Sequence, residues 1–256
     1  MTRTKKHKHN IKILIHKTKL DCGKAAAEQG AQLIRKAIRE KGRANIIVAT
    51  GASQFEMLSH LVTLRNIPWN LVTAFHLDEY VGMPITHPAS FRKYMWERFV
   101  SKLPLPLAAF HYINAEKNPR AECQRLSAII KKHPIDVCFA GIGENGHLAF
   151  NDPPADFKTT APYIIVNLDD ACRRQQLGEG WFKNLSQVPK QAISMSIQHI
   201  LKSKNIILTV PDKRKAQAVK HCLHGEITPL HPASILQKHP ATWCFLDTES
   251  ASLLSA

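Results

Sequence analysis

Short apolar runs rich in isoleucine and valine alternate along the chain with longer segments in which apolar residues recur at helical spacing. Continuous apolar runs are typical of parallel strands, because helices cover both faces of such a sheet. We therefore predict a single-domain α/β fold that is Rossmann-like and doubly wound, with a mostly parallel sheet and helices on both faces. The predicted strands are Ile11–His16, Asn45–Thr50, Asn70–His76, Ile135–Ala140, Tyr163–Asn167, Ala192–Met195, Asn205–Val210 and Ala241–Leu246.

Three segments have the helical period most clearly. The apolar residues of Ala25–Lys41 lie on one helical face, and Gly42 suits the end of that helix. The other two predicted helices are Gln54–Leu64 and Lys213–Leu223.

The positive charge is concentrated at the N-terminus. The 256 residues carry a net charge of +15, and seven Lys/Arg with no acidic residue lie between Met1 and Leu20. We predict that residues 1–10 form a basic, flexible tail and that residues 11–256 form one α/β domain. Such arms are usually solvated, and the body shows no interleaving of basic and aromatic residues, so we expect no nucleic-acid partner.

Composition also bears on location. No apolar run approaches the roughly 18 to 20 residues that cross a bilayer, and the N-terminus lacks the apolar segment of a secretory signal. We expect a cytoplasmic protein with no membrane partner. The six cysteines are widely separated and include no CxxC pair, which predicts reduced, partly buried thiols.

Ligands of open α/β sheets bind beyond the carboxyl ends of the strands, so the residues that follow each strand are the first candidates for function. Gly51, Ala52 and Ser53 follow Thr50 in a small turn before a helix, where backbone N–H groups and hydroxyls can hold a phosphate. A tight turn without a ligand is equally consistent with these residues. Lys215 follows another strand, and basic residues at a helix start favour an anionic partner.

Two further strand ends carry acid–base chemistry. Asp78 and Glu79 can supply a general base, although adjacent carboxylates more often cap a helix or face solvent. The glycines of GIGENGH match GxGxxG, but Pro153-Pro154 stops a helix within about two turns, which argues against a dinucleotide site. The same segment predicts a flexible turn that presents His147, with Asp152 five residues later.

Four blocks in order, ATGAS, HLDEYVGMPITHPASFRKYMWERF, GIGENGHLAFNDPP and VPDKRKA, resemble the glucosamine-6-phosphate deaminase/isomerase family. This family belongs to the superfamily that also holds 6-phosphogluconolactonase. The resemblance extends from about Asn45 to Leu246, most of the chain. The lactonases typically have DER in place of Asp78-Glu79-Tyr80 and a GHTASLFP-like sequence in place of GHLAFNDP, so the blocks favour the deaminase branch.

The resemblance implies isomerisation of an amino sugar phosphate from aldose to ketose with loss of ammonia, and it implies no metal and no organic cofactor. Asp78 matches the general base and His147 the histidine that assists ring opening. Asp152 occupies a position near that histidine where many members have Glu. Asn145 occupies a position before the histidine where some members have Asp. The positions that match phosphate binding are Thr50, Gly51, Ala52, Ser53 and Lys215, with Arg173 and Arg174 both candidates for a phosphate arginine.

Several alternatives remain open at the level of sequence. Galactosamine 6-phosphate differs from glucosamine 6-phosphate only at C4, and a homo-oligomer is one expected state. A 6-phosphogluconolactonase-type hydrolase is disfavoured by the two blocks above, and a sugar-sensing regulator is disfavoured because no helix-turn-helix precedes the first strand. A metal site at His221-Cys222-x-His224 is disfavoured because adjacent residues of a helix point about 100° apart.

Overall fold

The computed structural model describes residues 10–178 and 180–254. All of the predicted basic tail except Asn10 lies outside the described residues. In chain order the strands are β1 (Ile11–His16), β2 (Ala44–Val48), β3 (Val72–His76), β4 (Asp78–Tyr80), β5 (Ala109–His111), β6 (Val137–Ala140), β7 (Tyr163–Asn167), β8 (Gln191–Met195), β9 (Ile206–Val210) and β10 (Thr242–Asp247). The α-helices are α1 (Lys19–Lys41), α2 (Phe55–Leu61), α3 (Phe91–Arg98), α4 (Pro119–Ile130), α5 (Asp170–Gly178), α6 (Ile197–Ile200) and α7 (Ala216–His224).

A parallel sheet forms the centre of the molecule. Seven strands lie in the order β1-β10-β9-β6-β2-β3-β5, and the paired neighbours are parallel. The predicted mostly parallel sheet is therefore confirmed. The first and last strands lie side by side in this sheet. The division into a tail of residues 1–10 and a domain of residues 11–256 stays a prediction.

The two faces of the sheet are both buried, as its apolar strands predict. Neighbouring strand residues point to opposite faces. Ile46 of β2 packs in the apolar cluster that contains Ile34 of α1, whereas Ile47 packs in the cluster that contains Leu126 of α4. All four side chains are fully buried, and each such burial contributes about 1.5–3 kcal/mol. Helices therefore cover both faces, in agreement with the doubly wound prediction.

A second, small sheet lies beside the first. Its order is β4-β8-β7, and both pairings are antiparallel. The predicted strands at 163–167 and 192–195 are confirmed as β7 and β8, but they belong to this sheet and not to the parallel one. An apolar run specifies a buried strand but not its partner, so the sequence pattern could not separate the two sheets.

Helix boundaries follow local capping. Helix α1 begins at Lys19, earlier than the predicted Ala25, because Thr18 caps it by accepting a hydrogen bond from the Asp21 N–H at 3.1 Å. It ends at Lys41 before Gly42, as predicted.

The state of the cysteines agrees with the expectation drawn from their spacing. All six cysteines are free and buried, so the prediction of reduced thiols holds in the described structure. None of the helices within the described ranges is both long and apolar enough to cross a membrane.

His76, the last residue of β3, is fully buried and packs against two aromatic rings, with a tilted contact to Phe110 and an edge contact to Tyr112. The Ile113 N–H donates a 2.8 Å hydrogen bond to its Nε2, which requires that nitrogen to be unprotonated. Burial, together with the Arg92 charge, lowers the pKa of His76 to about 3. His76 therefore stays neutral in the folded protein under conditions in which the unfolded chain takes up a proton.

We predict that acid destabilises the fold through His76. Its folded pKa lies below its unfolded value near 6.5, so the unfolded state binds more protons between those two values and stability falls as the pH drops. Lowering the pH from about 7 to about 5 should lower the free energy of unfolding by about 2 kcal/mol through this residue. Urea denaturation of the wild type and of His76→Gln at both pH values measures the effect. Equal losses in the two proteins would contradict it.

Candidate active site

A pocket lies at the carboxyl ends of four neighbouring strands, β9, β6, β2 and β3. After β2 the next strand of this sheet is β3, on one side. After β6 the next strand of this sheet is β9, on the opposite side. The pocket therefore lies where the strand order reverses. Ligands of doubly wound sheets bind at such a switch point. The lining residues are Ala49, Thr50, Gly51, Ala52, Ser53, Leu77, Asp78, Phe91, Gly141, Ile142, Gly143, His147, Ala149, Phe150, Gln175, Gln176, Arg214 and Lys215.

The turn after β2 forms one wall of the pocket. Gly51 has φ of +95°, a backbone conformation that disfavours side chains with a Cβ, and a 3-10 turn follows at Ala52–Gln54. The buried Gln54 Nε2 donates to Ser53 Oγ at 3.1 Å and to Thr209 O of β9 at 3.2 Å. The Tyr94 hydroxyl donates to Gly51 O at 3.0 Å. These bonds hold the turn in place, with the predicted phosphate positions Thr50 to Ser53 lining the pocket.

The two adjacent carboxylates of β4 separate into different environments. Asp78 is 6% exposed and lines the pocket. Glu79 is fully buried and accepts hydrogen bonds at the start of α3, from Ser90 Oγ at 2.9 Å and from the Arg92 N–H at 2.9 Å. Successive residues of a strand point to opposite faces, which explains the division. Glu79 is therefore the carboxylate that caps a helix, and Asp78 is the carboxylate that lines the pocket.

Glu79 is held by more than its cap bonds. The N–H groups of Tyr80 and Phe91 also donate to it, at 3.0 and 3.2 Å. Burial raises the pKa of Glu79, and the surrounding donors act in the opposite direction. Arg92 lies 3.5 Å from Glu79 and pairs with Glu116 at 2.7 Å. This network fixes the start of α3, the helix whose first residue, Phe91, lines the pocket.

The loop after β6 presents His147, which is 8% exposed. The ring lies directly against Gly143, where a Cβ would overlap it. Asp152 Oδ1 lies 3.2 Å from His147 Nδ1. Asn145 Oδ1 accepts the His147 N–H at 3.1 Å, and its Nδ2 donates to Asp152 Oδ1 at 3.4 Å. Asn145 and Asp152 therefore do not line the pocket themselves; they hold the histidine that does.

The turn after β9 supplies the basic wall of the pocket. The Asp212 N–H donates to both carboxylate oxygens of Asp247, at 3.1 and 3.0 Å, which fixes the start of this turn. Lys215 lines the pocket and is 6% exposed. Arg214 also lines it, with its guanidinium 3.5 Å from carboxylate oxygens of Glu144 and Asp212. Two cations thus face the turn of Thr50 to Ser53 across one pocket.

A sequence profile described as glucosamine-6-phosphate isomerases/6-phosphogluconolactonase matches residues 17–244. A glucosamine-6-phosphate deaminase from Oenococcus oeni is 37% identical over 232 residues, which cover 90% of this chain and 94% of that protein. Another from Thermoanaerobacter pseudethanolicus is 31% identical over 89% of this chain and 90% of that protein. The chain belongs to the glucosamine-6-phosphate isomerase/6-phosphogluconolactonase family.

Solved structures of family members agree with the fold. A monomeric glucosamine-6-phosphate deaminase, 32% identical, matches with a TM-score of 0.86 over 94% of this chain and 99% of that chain. A 6-phosphogluconolactonase from Thermotoga maritima matches with a TM-score of 0.76 over 93% of this chain and 99% of that chain. Its identity is 17%, so this second likeness shows a shared fold alone.

Neither of the two expected phosphate arginines, Arg173 and Arg174, lines this pocket. Arg173 is 9% exposed and points away from the pocket, donating to Val188 O at 3.0 Å and Leu185 O at 2.6 Å. Arg174 lines a neighbouring depression with Glu144 and Arg214, not the pocket. Helix α5 instead presents Gln175 and Gln176 to the pocket. The helical phase of α5 thus gives the two glutamines to the pocket, and a phosphate-binding role for Arg173 or Arg174 stays a prediction.

Among the pocket residues that sequence reasoning did not single out are Arg214, Gln175, Gln176 and Phe91. Arg214 stands in the basic run Lys213–Lys215, where composition gives no reason to prefer one cation. Phe91 and the two glutamines lie on α3 and α5, helices that the apolar period did not reveal. The capping signal of Ser90, which accepts from the Lys93 N–H at 3.4 Å, could have indicated α3.

The disfavoured metal trio on α7 does not converge. The Cys222 thiol is buried against Gly146 O at 3.9 Å, whereas the His221 ring packs on His231 with 4.3 Å between centroids. The expectation against a site at these residues agrees with this geometry.

We predict that Gly143→Ala displaces the His147 ring, because the added Cβ overlaps it. Turnover of the sugar phosphate should fall at least about a hundredfold, the scale of a lost general acid–base group. Binding of inorganic phosphate, which does not require the ring, should change little. Steady-state kinetics and a phosphate titration followed by NMR check both parts. Normal turnover in this variant would show that the ring position is not critical.

Proposed function

We propose that this chain converts glucosamine 6-phosphate to fructose 6-phosphate and ammonia. The observation that carries the proposal is the shared lining of one pocket: Asp78 and His147 lie in the same cleft as the Thr50–Ser53 turn and Lys215. An acid–base pair combined with an anion-binding wall suits proton transfer on a phosphorylated sugar. Relatives at 31–37% identity over most of the chain are glucosamine-6-phosphate deaminases, which supports the same reaction.

In this proposal His147 opens the sugar ring. It carries a proton from the C1 hydroxyl to the ring oxygen, so that the pyranose becomes an open-chain aldehyde. Asp152, 3.2 Å from Nδ1, orients the imidazole, which leaves Nε2 for the substrate. Asn145 fixes both partners through the bonds described above. An Asp at position 152, one methylene shorter than Glu, still reaches the ring.

Asp78 then acts on the open chain. Its carboxylate removes the C2 proton and returns a proton to C1, while a proton of the C2 ammonium group passes to the aldehyde oxygen. Together these transfers convert the amino aldehyde to the imine of the ketose. Addition of water to C2 of that imine releases ammonia and gives fructose 6-phosphate. A carboxylate that is 6% exposed is largely shielded from bulk water, which strengthens its interaction with charge that develops on the substrate.

The phosphate is held at the other end of the pocket. Backbone N–H groups and hydroxyls of the Thr50–Ser53 turn and the ammonium of Lys215 contact its oxygens. We propose Arg214 as the arginine of this subsite, because it lines the pocket while Arg173 and Arg174 do not. Galactosamine 6-phosphate differs from glucosamine 6-phosphate only at C4, so it is a second substrate to be tested.

We propose a cytoplasmic location, since all six cysteines are free, as is usual where thiols are kept reduced. A homo-oligomer stays a prediction, and its test is the mass in solution by light scattering. The related deaminase with a TM-score of 0.86 is monomeric.

We predict that the purified protein releases ammonia from glucosamine 6-phosphate. The measurement is ammonia release from glucosamine 6-phosphate and galactosamine 6-phosphate in parallel, with 6-phosphogluconolactone hydrolysis as the control. His147→Gln should lower ammonia release by about a hundredfold or more, because a neutral amide cannot shuttle the ring-opening proton. Lactone hydrolysis without ammonia release would overturn the proposal.

We predict that Arg214→Gln raises KM for the sugar phosphate about tenfold and changes kcat little. A charge-assisted hydrogen bond contributes about 1.5–3 kcal/mol, and the arginine is 42% exposed, so solvent reduces its effect to the lower end. Arg174→Gln is the matched control and should stay within about twofold of the wild type. A larger KM increase in Arg174→Gln than in Arg214→Gln would reverse the assignment.

A further inference from the structure

A third side chain lies beside the His147–Asp152 pair. Cys172 of α5 is fully buried. One ring nitrogen of His147, an Asp152 carboxylate oxygen and Cys172 Sγ all lie within 4.8 Å of one another. Within residues 10–178 and 180–254, this is the group in which three potential metal ligands come together.

The oxygen and nitrogen atoms of this group are only partly used by the protein. Asp152 Oδ2 is buried and has no hydrogen-bond partner among the nitrogen and oxygen atoms of the described residues. The Nδ1 of His147 faces Asp152 Oδ1 at 3.2 Å and makes no other polar contact among these residues. Buried polar atoms normally have partners, so an oxygen left in this way points to a further ligand.

The electrostatic field at the group favours a cation. The carboxylates of Asp152, Asp169 and Asp78 lie close enough to Cys172 to act on it electrostatically, and Asp152 also forms a hydrogen bond with the thiol. Their negative charges stabilise a positive charge at the same place. A divalent ion would neutralise the carboxylates and allow the thiol to ionise.

We propose that His147, Asp152 and Cys172 form an inhibitory binding site for a thiophilic divalent ion of the zinc type. Imidazole nitrogen, carboxylate oxygen and thiolate sulfur are the donor set that this class of ion prefers. Ligand distances of about 2.0–2.3 Å around a tetrahedral ion place the donor atoms roughly 3.3–3.8 Å apart, so the side chains need to move by less than about 1 Å. Water would take the fourth position, as it does in zinc sites with three protein ligands.

The binding step exchanges protons only. The ion replaces the proton of the Cys172 thiol and any proton on His147 Nδ1, both of which pass to solvent, and no electrons are transferred. The inhibitory part of this inference rests on the proposed function: an ion on Nδ1 separates the imidazole from Asp152 and stops the proton shuttle of ring opening. Chelation of the ion should restore activity fully.

Cobalt(II) tests the site without any assay of the reaction. Metal-free protein titrated with Co²⁺ should develop the near-ultraviolet charge-transfer band of a cobalt–thiolate bond. Cys172→Ser should lack the band. Cys222→Ser is the matched control, because Cys222 is equally buried in a neighbouring helix, and it should keep the band. Zn²⁺ should displace the cobalt.

Inhibition is measured on the same proteins. Cys172→Ser should raise the Zn²⁺ concentration for half-inhibition at least about tenfold while kcat without metal stays within about twofold. Asp152→Asn supplies a second variant, in which the thiolate band should persist but require at least about tenfold more cobalt. A band that survives Cys172→Ser, or inhibition by Zn²⁺ that is equal in all variants, overturns the site. The expected cobalt results in a protein that releases no ammonia would retain the site and reject the proposed function.

Discussion

The buried side chain of Ser194 connects the two halves of the candidate active site. Ser194 of β8 pairs directly with Asp78 of β4 in the small antiparallel sheet. Its Oγ accepts hydrogen bonds from the Phe150 N–H at 3.1 Å and from Asn151 Nδ2 at 3.3 Å, in the loop that carries His147. The buried Asn151 also donates to Met195 O at 2.8 Å. The distance between the proposed base and the histidine is therefore set by strand register and by buried hydrogen bonds, both of which are costly to disturb.

The same sheet explains how one dipeptide serves both structure and chemistry. Asp78 turns toward the pocket and Glu79 turns toward the start of α3, where it accepts three hydrogen bonds, with a fourth from the Tyr80 N–H. The helix that Glu79 fixes brings Phe91 into the pocket wall. The pocket wall and the proposed base thus depend on adjacent residues, and a shift of β4 by one residue would exchange their environments.

How far the sequence predicts this arrangement depends on the kind of residue. Strand ends are visible in the pattern, so the sequence singled out Thr50, Asp78, His147 and Lys215, which line one pocket. Arg173 and Arg174 lie outside this pocket, and a short polar helix gives no apolar period from which to read its phase. Arg214 was missed within a basic run. The small sheet was also missed, because β4 and β8 are separated by more than a hundred residues that no local pattern bridges.

Proton transfer at C2 by Asp78 is the central claim, and solvent exchange tests it most directly. Glucosamine 6-phosphate is incubated in D₂O with the wild type and with Asp78→Asn, and the products are followed by NMR. A separate phosphate titration confirms that both proteins bind the anion. The account predicts fructose 6-phosphate with deuterium at C1 from the wild type and neither product nor exchange from Asp78→Asn. Continued turnover with deuterium at C1 in Asp78→Asn would contradict it.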